Sequence, residues 1–499
     1  MGGRSSGARL RAGQSRSWRG FPIGAACAAT LLLAGCNLGP FYKRPDLPVP
    51  AAWNEPADRE AAPWPSADWW RGFRSAELDG YIERARRANY DLAAAMARVR
   101  EADAQATIAG AALLPSLSGD VNAFKERILT TNNTYINAKQ ISPELSASYM
   151  VDFWGKNRAA RQAALAAAAA SRNDQATIEL TVMTSVAQTY FQIIELRDRL
   201  AVAEGNLANA QNTLKGLRRQ MEVGIVTALD VAQEETTVAT LAAVIPPLRQ
   251  QLRQMVNALA ILIGEAPENL ETSAARLADF QVPTVGAGLP SELLARRPDI
   301  AEAENQLIAA NANIQVARAA FFPSLTLTAA GGVASTALST LFKGGTGVYS
   351  LAASVVAPIF DGGALKGQYE FAKARYDELA ANYQKAVISA YGNVENALVA
   401  LQQTTELERR EQAAVNTATR AYNITQAQLR SGTVNILTVL NTQTALFSAQ
   451  DALVQAKYAH LQAVLGLYNA LGGGWQNPAP QQTPAQAGSE KAPPGKSGT

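Results

Sequence analysis

The chain has 499 residues, a formal net charge of +3, two cysteines and a single histidine. So few cysteine and histidine ligands exclude the usual zinc sites, and nearly balanced totals of 45 basic and 42 acidic residues give no support to a nucleic-acid partner. The sequence contains neither a G-x-x-x-x-G-K-[ST] phosphate loop nor a serine nucleophile paired with histidine. The acidic residues are scattered over predicted helix faces, where solvation or ion pairing is the ordinary role. We therefore expect no enzymatic activity, no catalytic residue and no metal.

The first 35 residues are typical of an export signal. Five arginines and no acidic residue accompany an apolar run over residues 21–34, which is too short to span a membrane. The run ends in the sequence LAGC at residues 33–36, which resembles the lipobox of bacterial lipoproteins. That resemblance implies that Cys36 becomes the lipid-bearing first residue of the mature protein. Asn37, at the next position, implies sorting to the outer membrane.

Removal of the signal changes the cysteine and charge counts. Cys27 lies inside the apolar run and Cys36 would carry the lipid, so we expect neither a disulfide nor a cysteine nucleophile in the mature protein. Without the five signal arginines, 40 basic residues face 42 acidic residues, and the formal net charge becomes −2.

Three stretches without hydrophobic periodicity divide the rest of the chain. Residues 36–75 are rich in proline and tryptophan, and we interpret them as an extended arm packed on a helical body. Residues 265–289 contain several prolines and glycines and predict a belt that joins two larger units. Residues 475–499 consist largely of Pro, Gln, Ala, Gly, Ser and Lys, a composition that predicts a disordered tail.

The two larger units, residues 76–264 and 290–474, are copies of one another. Five short landmarks recur at an offset of 208 residues in four cases and 207 in one. Chance similarity between alanine-rich helices could produce one such match, but not a shared register. The landmark pairs begin or end at Asp91 and Asp299, Pro115 and Pro323, Phe153 and Phe360, Gly224 and Gly432, and Gly264 and Gly472.

Each unit predicts one long helix with shorter helices on either side. Residues 156–222 and 364–430 contain no proline, and each would be about 100 Å long at roughly 1.5 Å per residue. In the first unit, the pair Pro246-Pro247 predicts a break or kink, because proline removes a backbone donor and clashes with the preceding turn. The shorter runs cover residues 76–114, 227–263, 291–322 and 435–471.

Each unit also predicts a β-hairpin in which apolar and polar residues alternate. The strands cover about residues 116–124 and 144–153 in the first unit, and 324–332 and 349–359 in the second. Strands of about 9 to 11 residues suit one tilted pass through a bilayer. Four strands cannot close a barrel, since even the smallest filled barrels have about eight, so we expect a sheet shared between chains. A small soluble β-layer remains the alternative.

Three motifs carry a resemblance to a known family. They are GPFYKRP at residues 39–45, DWWRGF at residues 68–73 and LPSELLARRPDI at residues 289–300. The sequence resembles outer-membrane efflux lipoproteins of the OprM/NodT type, within the wider TolC-like family, from about Cys36 to Trp475. The resemblance implies an α plus membrane-β fold: a homotrimer with a shared 12-stranded β-barrel, continued by a long periplasmic α-helical barrel.

The resemblance also implies a function. The chain would be a passive outer-membrane channel of a tripartite efflux pump, with a periplasmic adaptor protein and an inner-membrane pump of the RND type as partners. Two alternatives stay open from the sequence: a duct for type I protein secretion, and a non-conducting structural lipoprotein. The exported substrate would be selected by the pump and is not encoded in this chain.

Two glycine turns and one helix start are the candidate functional positions. Glycine suits the left-handed backbone at the end of a helix, so Gly224 and Gly432 predict turns at the periplasmic tip. The loops around them would expose a small surface for the adaptor, made of Val223, Ile225, Val226, Thr433 and Val434.

The helix after the second turn is the candidate gate. TolC-like channels often have carboxylates about three and six residues into this helix, and the matching positions here are Thr438 and Asn441. Together with Leu429 and Asn435 they predict a gate that closes by hydrogen bonds and packing, and a pore with only weak cation selectivity.

Overall fold

The computed structural model describes residues 40, 42–47, 50–54, 64–129, 131–270 and 272–477. The predicted signal, Cys36 and residues 478–499 of the predicted tail lie outside this range. The chain forms two compact units. Thr107–Ala163 and Asn311–Ala374 belong to the first unit, which contains the β-sheet. Tyr42–Ala106, Ala164–Ala310 and the chain from Arg375 onward belong to the second, which is helical.

The four strands form one antiparallel sheet in chain order. The strands are β1, Ser116–Leu129; β2, Tyr135–Val151; β3, Ser324–Val333; and β4, Gly347–Val356. Over most of their length the strands alternate apolar residues on one face with polar or small residues on the other. The pairings Leu117↔Ala147, Tyr149↔Leu327 and Leu327↔Ala353 place odd-numbered residues of all four strands on one face. Even-numbered residues, with serine and threonine the most frequent types, share the other face.

The first hairpin extends farther than the sequence pattern predicts. The pattern ends the first strand near residue 124 and resumes near 144, but the ladder continues to the pair Leu129↔Tyr135. Charged residues such as Lys125 and Arg127 interrupt the apolar alternation while backbone pairing continues, because ladder hydrogen bonds do not depend on side-chain polarity. The second hairpin differs less: β4 begins at Gly347 and ends at Val356 rather than at residue 359.

Eight α-helices complete the described part of the chain. They are α1, Ala76–Ala88; α2, Tyr90–Ala111; α3, Lys156–Glu222; α4, Ala228–Leu262; α5, Pro290–Arg296; α6, Pro298–Ala319; α7, Ala364–Arg430; and α8, Ile436–Ala470. Three pairs, α2 and α6, α3 and α7, and α4 and α8, have bounds that differ by the same 208 residues. The internal repeat of the sequence is therefore a repeat of structure. None of the described helices has both the length and the hydrophobicity needed to cross a membrane.

The two predicted runs at 76–114 and 291–322 are each interrupted, and this is a correction. In the first run the break is at Asn89, whose side-chain oxygen accepts hydrogen bonds from the backbone N–H groups of Asp91 and Leu92 and so starts a new helix. In the second run the break is at Arg297, because a residue before proline is disfavoured in helical conformation and Pro298 follows.

Of the predicted break or kink at Pro246-Pro247, the break is wrong, because α4 runs through both prolines. Both prolines are exposed, whereas Ile245 and Leu248 on either side are buried. The helix therefore loses two backbone donors on its exposed side and is held by apolar packing on the other.

The last helix of each repeat ends in the same way in both copies. Gly264 follows α4 and Gly472 follows α8, with φ angles of +74° and +84°. At equivalent positions of the repeat, Asn89 donates from Nδ2 to the carbonyl of Leu262 at 2.8 Å, and Arg297 donates from Nη1 to the carbonyl of Ala470 at 2.8 Å. Different side chains thus satisfy the last carbonyl of the same helix in both copies.

Candidate functional site

The two predicted turns have the same backbone geometry. Gly224 and Gly432 have φ angles of +76° and +75°. The N–H of Gly224 donates to Met221 at 3.0 Å, and the next N–H, of Ile225, donates to Gln220 at 2.8 Å. The second turn repeats both bonds, from Gly432 to Leu429 and from Thr433 to Gln428, at 3.1 and 3.0 Å. This is the Schellman arrangement, which requires a left-handed residue after the helix.

The first turn exposes more apolar surface than the second. Val223 and Ile225 are 70% and 71% exposed. The predicted contact residues Val226 and Val434 are less exposed, since both are half-buried. Val226 also packs on neighbouring apolar side chains of the helices. The second turn presents the polar residues Ser431 and Thr433 instead. Of the predicted contact residues, Val223 and Ile225 of the first turn would therefore offer an apolar partner the largest contact, whereas the prediction treated the two turns alike.

Capping bonds start the helix after each turn. Thr227 and Asp230 form a reciprocal capping box at the start of α4, where Thr227 donates its backbone N–H to Asp230 at 2.7 Å. At the start of α8, the side-chain oxygen of Asn435 accepts from the backbone N–H of Thr438 at 3.1 Å and from its hydroxyl at 2.9 Å. The first turn thus has a carboxylate at the position where the second has Thr438.

The structure brings together two of the four predicted gate residues. Asn435 and Thr438 form the cap, so their side chains are already engaged within the chain. Asn441 is exposed, and among the described residues it has no hydrogen-bond partner. Leu429 is half-buried and packs on an apolar cluster that α3, α4, α7 and α8 share. The buried members of this cluster are Leu214, Leu217, Val231, Tyr422, Ile436, Val439, Leu440, Leu446 and Phe447.

A buried carboxyl group lies on the same face of α4 as this cluster. Glu234 is fully buried, and within the described part of the chain neither carboxyl oxygen has a hydrogen-bond partner. Loss of hydration on burial raises the pKa of Glu234 to about 7. The expectation that acidic residues lie on solvated faces or in ion pairs is therefore wrong for Glu234. The spacing of Val231, Glu234 and Val238 was the available signal, because it places the carboxylate on an apolar stripe.

Two further polar clusters join helices within the described part of the chain. A cavity of about 500 Å³ lies beside Arg199, which donates to Asp451 at 2.7 Å and to Glu195 at 3.3 Å. Nδ1 of His460 is hydrogen-bonded to the carboxylate of Glu408 at 2.7 Å, a contact that joins α8 to α7. In the ranges that the structure describes, no three histidine, cysteine or acidic residues are arranged to hold a metal ion.

Comparison with known proteins identifies both the fold and the family. The model of the outer membrane efflux protein family matches twice, at residues 81–265 and 289–473. The chain is 40% identical to the pyoverdine export outer membrane protein OpmQ of Pseudomonas aeruginosa, over 90% of this chain and 96% of that protein. It is 30% identical to the cation efflux system protein CusC of Escherichia coli, over 90% and 98%.

A solved structure agrees with these relatives. The open state of the MtrE outer membrane channel of Neisseria gonorrhoeae superposes with a TM-score of 0.81 and 30% identity, over 88% of this chain and 98% of that one. The predicted TolC-like fold and the outer-membrane location are confirmed. The chain belongs to the outer membrane efflux protein family.

Proposed function

We propose that the chain is the outer-membrane channel subunit of a tripartite efflux pump, through which small molecules delivered by a periplasmic adaptor and an RND-type inner-membrane pump leave passively. The family match across both repeats carries this proposal. The relatives above are named for pyoverdine export and cation efflux, which favours small-molecule export over protein secretion.

Three chains are proposed to share one barrel. Strands β1 and β4 are the two edges of the sheet, so each presents an unpaired row of backbone N–H and C=O groups. Unpaired backbone groups are very unfavourable in a bilayer. We therefore infer that the edge strands pair with those of other copies to close a barrel. Three copies of the four strands give a 12-stranded barrel, wide enough for solutes, whereas two copies would give eight strands and little lumen.

The proposed lipid on Cys36 is consistent with where the following residues lie. The carbonyl of Pro40 accepts a hydrogen bond from Asn311 at 3.0 Å, and Asn311 lies in α6 shortly before the strand β3. A few residues later, Arg44 donates to Glu304 of the same helix at 2.7 Å. A lipid on Cys36, four residues before Pro40, would then be within reach of the membrane, where an acyl chain can insert.

Planar-bilayer recording tests the channel itself. We expect purified protein to produce discrete conductance steps with weak cation selectivity, because Thr438 and Asn441 carry no charge. Asn441→Asp should shift the reversal potential under a salt gradient toward that of a cation-selective pore, since three carboxylates would then surround the axis. The proposed gate is wrong if the wild type is already strongly cation-selective and the substitution changes nothing. Absence of any conductance would contradict the channel function.

Adaptor docking is tested at the more apolar turn. Val223→Asp combined with Ile225→Asp should reduce efflux about tenfold or more in cells, since both side chains are about 70% exposed and available for contact. Leu338→Asp is the matched control, because Leu338 is 70% exposed in the loop between β3 and β4. Crosslinking to the adaptor should fall with the turn variant only. Normal efflux and crosslinking in the turn variant would remove the docking role.

A further inference from the structure

The first hairpin presents positive charge on its apolar face. Odd-numbered residues of β1 and β2 share this face, and they are apolar from Leu117 to Ala123. The next odd positions are Lys125 and Arg127. Lys139 lies directly opposite Lys125 in the register, so three cations occupy adjacent positions beyond the apolar band.

No acidic side chain compensates these cations on their own face. The acids of the hairpin, Asp120, Glu126 and Glu144, are all even-numbered and project from the opposite face. Lys125 and Lys139 are exposed, and among the described residues neither side chain is in an ion pair. Like charges directly opposite on two strands are destabilising. An external anion at this position would remove that repulsion.

The position of Lys139 relative to the membrane follows from strand geometry. Val151, at the end of β2 nearest α3, is twelve residues from Lys139. That distance is roughly 40 Å along the strand, or roughly 30 Å along the membrane normal at a tilt of about 40°, which matches the hydrocarbon thickness of a bilayer. Arg127 lies over the ring of Tyr135 at 4.3 Å, and tyrosine is enriched at headgroup depth. The three cations therefore lie at the outer headgroup level.

The second hairpin has no such feature. β3 and β4 have 10 residues each, against 14 and 17 in β1 and β2. Neither β3 nor β4 contains a lysine or an arginine. The charged extension is thus specific to one hairpin and would occur once per chain.

We propose that Lys125, Arg127 and Lys139 bind the phosphate groups of a phosphorylated glycolipid in the outer leaflet of the outer membrane. Exported cargo is a poorer fit, because cargo meets the even-numbered face, where Asp120 and Glu144 are paired. A glycolipid with a phosphate on each of two linked sugars offers two anionic groups to cations on neighbouring strands, and its acyl chains would cover the apolar band below them.

Native mass spectrometry of the full-length protein in a neutral detergent tests the proposal. The probes are Kdo2-lipid A, the same lipid without its two phosphates, and phosphatidylglycerol. Lys125→Gln with Lys139→Gln should weaken Kdo2-lipid A binding about 25-fold, since each basic residue near an anionic surface contributes about fivefold. Lys125→Arg with Lys139→Arg should retain binding. Binding to the wild type should also weaken as ionic strength rises.

A control of equal charge change separates site binding from net charge. Lys156→Gln with Lys366→Gln removes two exposed lysines at the starts of α3 and α7 and should leave binding unchanged. The proposal is overturned if the Gln pair at 125 and 139 binds Kdo2-lipid A as the wild type does, or if the control weakens binding equally. Equal affinity for the dephosphorylated lipid or for phosphatidylglycerol would also overturn the assignment to a phosphorylated glycolipid.

Discussion

Replacement of Gly472 with alanine is expected to lower the stability of the folded protein far more than the same replacement at Gly432. Both glycines follow a long helix, both have φ near +80°, and both make the same pair of carbonyl bonds. A left-handed conformation costs a non-glycine residue about 1–2 kcal/mol at either site. The difference is space: a Cβ at Gly472 would lie 2.1 Å from the carbonyl oxygen of Arg296, whereas a Cβ at Gly432 meets nothing within 4 Å.

The clash at Gly472 involves backbone and cannot be relieved by a side-chain rotation. Arg296 ends α5, and the adjacent Arg297 donates to the carbonyl of Ala470 at 2.8 Å, so a shift there would break a buried hydrogen bond. We therefore expect Gly472→Ala to cost about 3 kcal/mol or more, against about 1–2 kcal/mol for Gly432→Ala.

Thermal unfolding followed by helical circular dichroism measures this difference, with the yield of folded protein as a second readout. The first repeat supplies an independent pair. A Cβ at Gly264 would lie 2.3 Å from the carbonyl oxygen of Ala88, while Gly224 has open space. Gly264→Ala should thus behave like Gly472→Ala, and Gly224→Ala like Gly432→Ala. Equal unfolding midpoints within each pair would show that helix-end strain alone matters and that the close approach does not.

The sequence was a good guide to the long helices for a physical reason. Between Lys156 and Glu222, and again between Ala364 and Arg430, neither proline nor a competing cap interrupts the pattern, and a glycine turn follows. Local propensity and tertiary packing therefore favour the same bounds. The repeat adds a second observation of every boundary, which a single copy would not supply.

The break at Arg297 has a local cause in Pro298, but long-range contacts decided the other errors. The side chain of Asn89 starts α2 and at the same time reaches the end of α4, which no local pattern contains. The prolines at 246 and 247 remain helical since buried Ile245 and Leu248 hold the helix beside them. The register of β1 continues past Ala123 because β2 is there to pair with it.

The two glycine turns could be located from the sequence, but the contacts of the candidate gate residues could not. Gly224 and Gly432 were placed at helix ends, since glycine is the residue that a left-handed C-terminal position favours. Asn435 and Thr438 bond to one another because of the capping geometry at the start of α8. The same two residue types at this spacing are also compatible with side chains that face a pore, so the sequence does not distinguish the two arrangements. How copies of this chain would associate depends on surfaces that lie on different copies, and a pattern within one sequence does not pair them.

Glu234→Gln is expected to stabilise the folded protein at neutral pH and to have no charge-related effect near pH 4. A glutamate in water has a pKa of 4.5, whereas burial raises the pKa of Glu234 to about 7. The folded state therefore holds a proton that the unfolded state releases between these values. Folding stability falls as pH rises from about 4.5 to about 7, by at most about 3 kcal/mol per chain.

Few neighbouring charges oppose this shift. Tyr422 of α7 is near enough for the charge of Glu234 to contribute to raising the tyrosine pKa, after the larger effect of burial. Arg218 of α3 pairs with the adjacent Glu235 at 2.7 Å, and burial is what raises the pKa of Glu234. Asp230 is engaged in the capping box. Among the carboxylates near the start of α4, Glu234 is thus the one whose protonation is expected to change the folding stability most.

Hydrogen–deuterium exchange between pH 5 and 8, corrected for intrinsic exchange rates, measures this change in stability at the C-terminal end of α3 and the N-terminal end of α4. Wild-type protection should fall across this range, and Glu234→Gln should remove the fall. Any constant cost of burying the amide is independent of pH and cancels in the comparison. Glu235→Gln is the matched control: it changes the adjacent residue identically, but its carboxylate is half exposed in an ion pair and should contribute little. A pH dependence that survives in Glu234→Gln, or disappears in Glu235→Gln, would place the titrating group elsewhere.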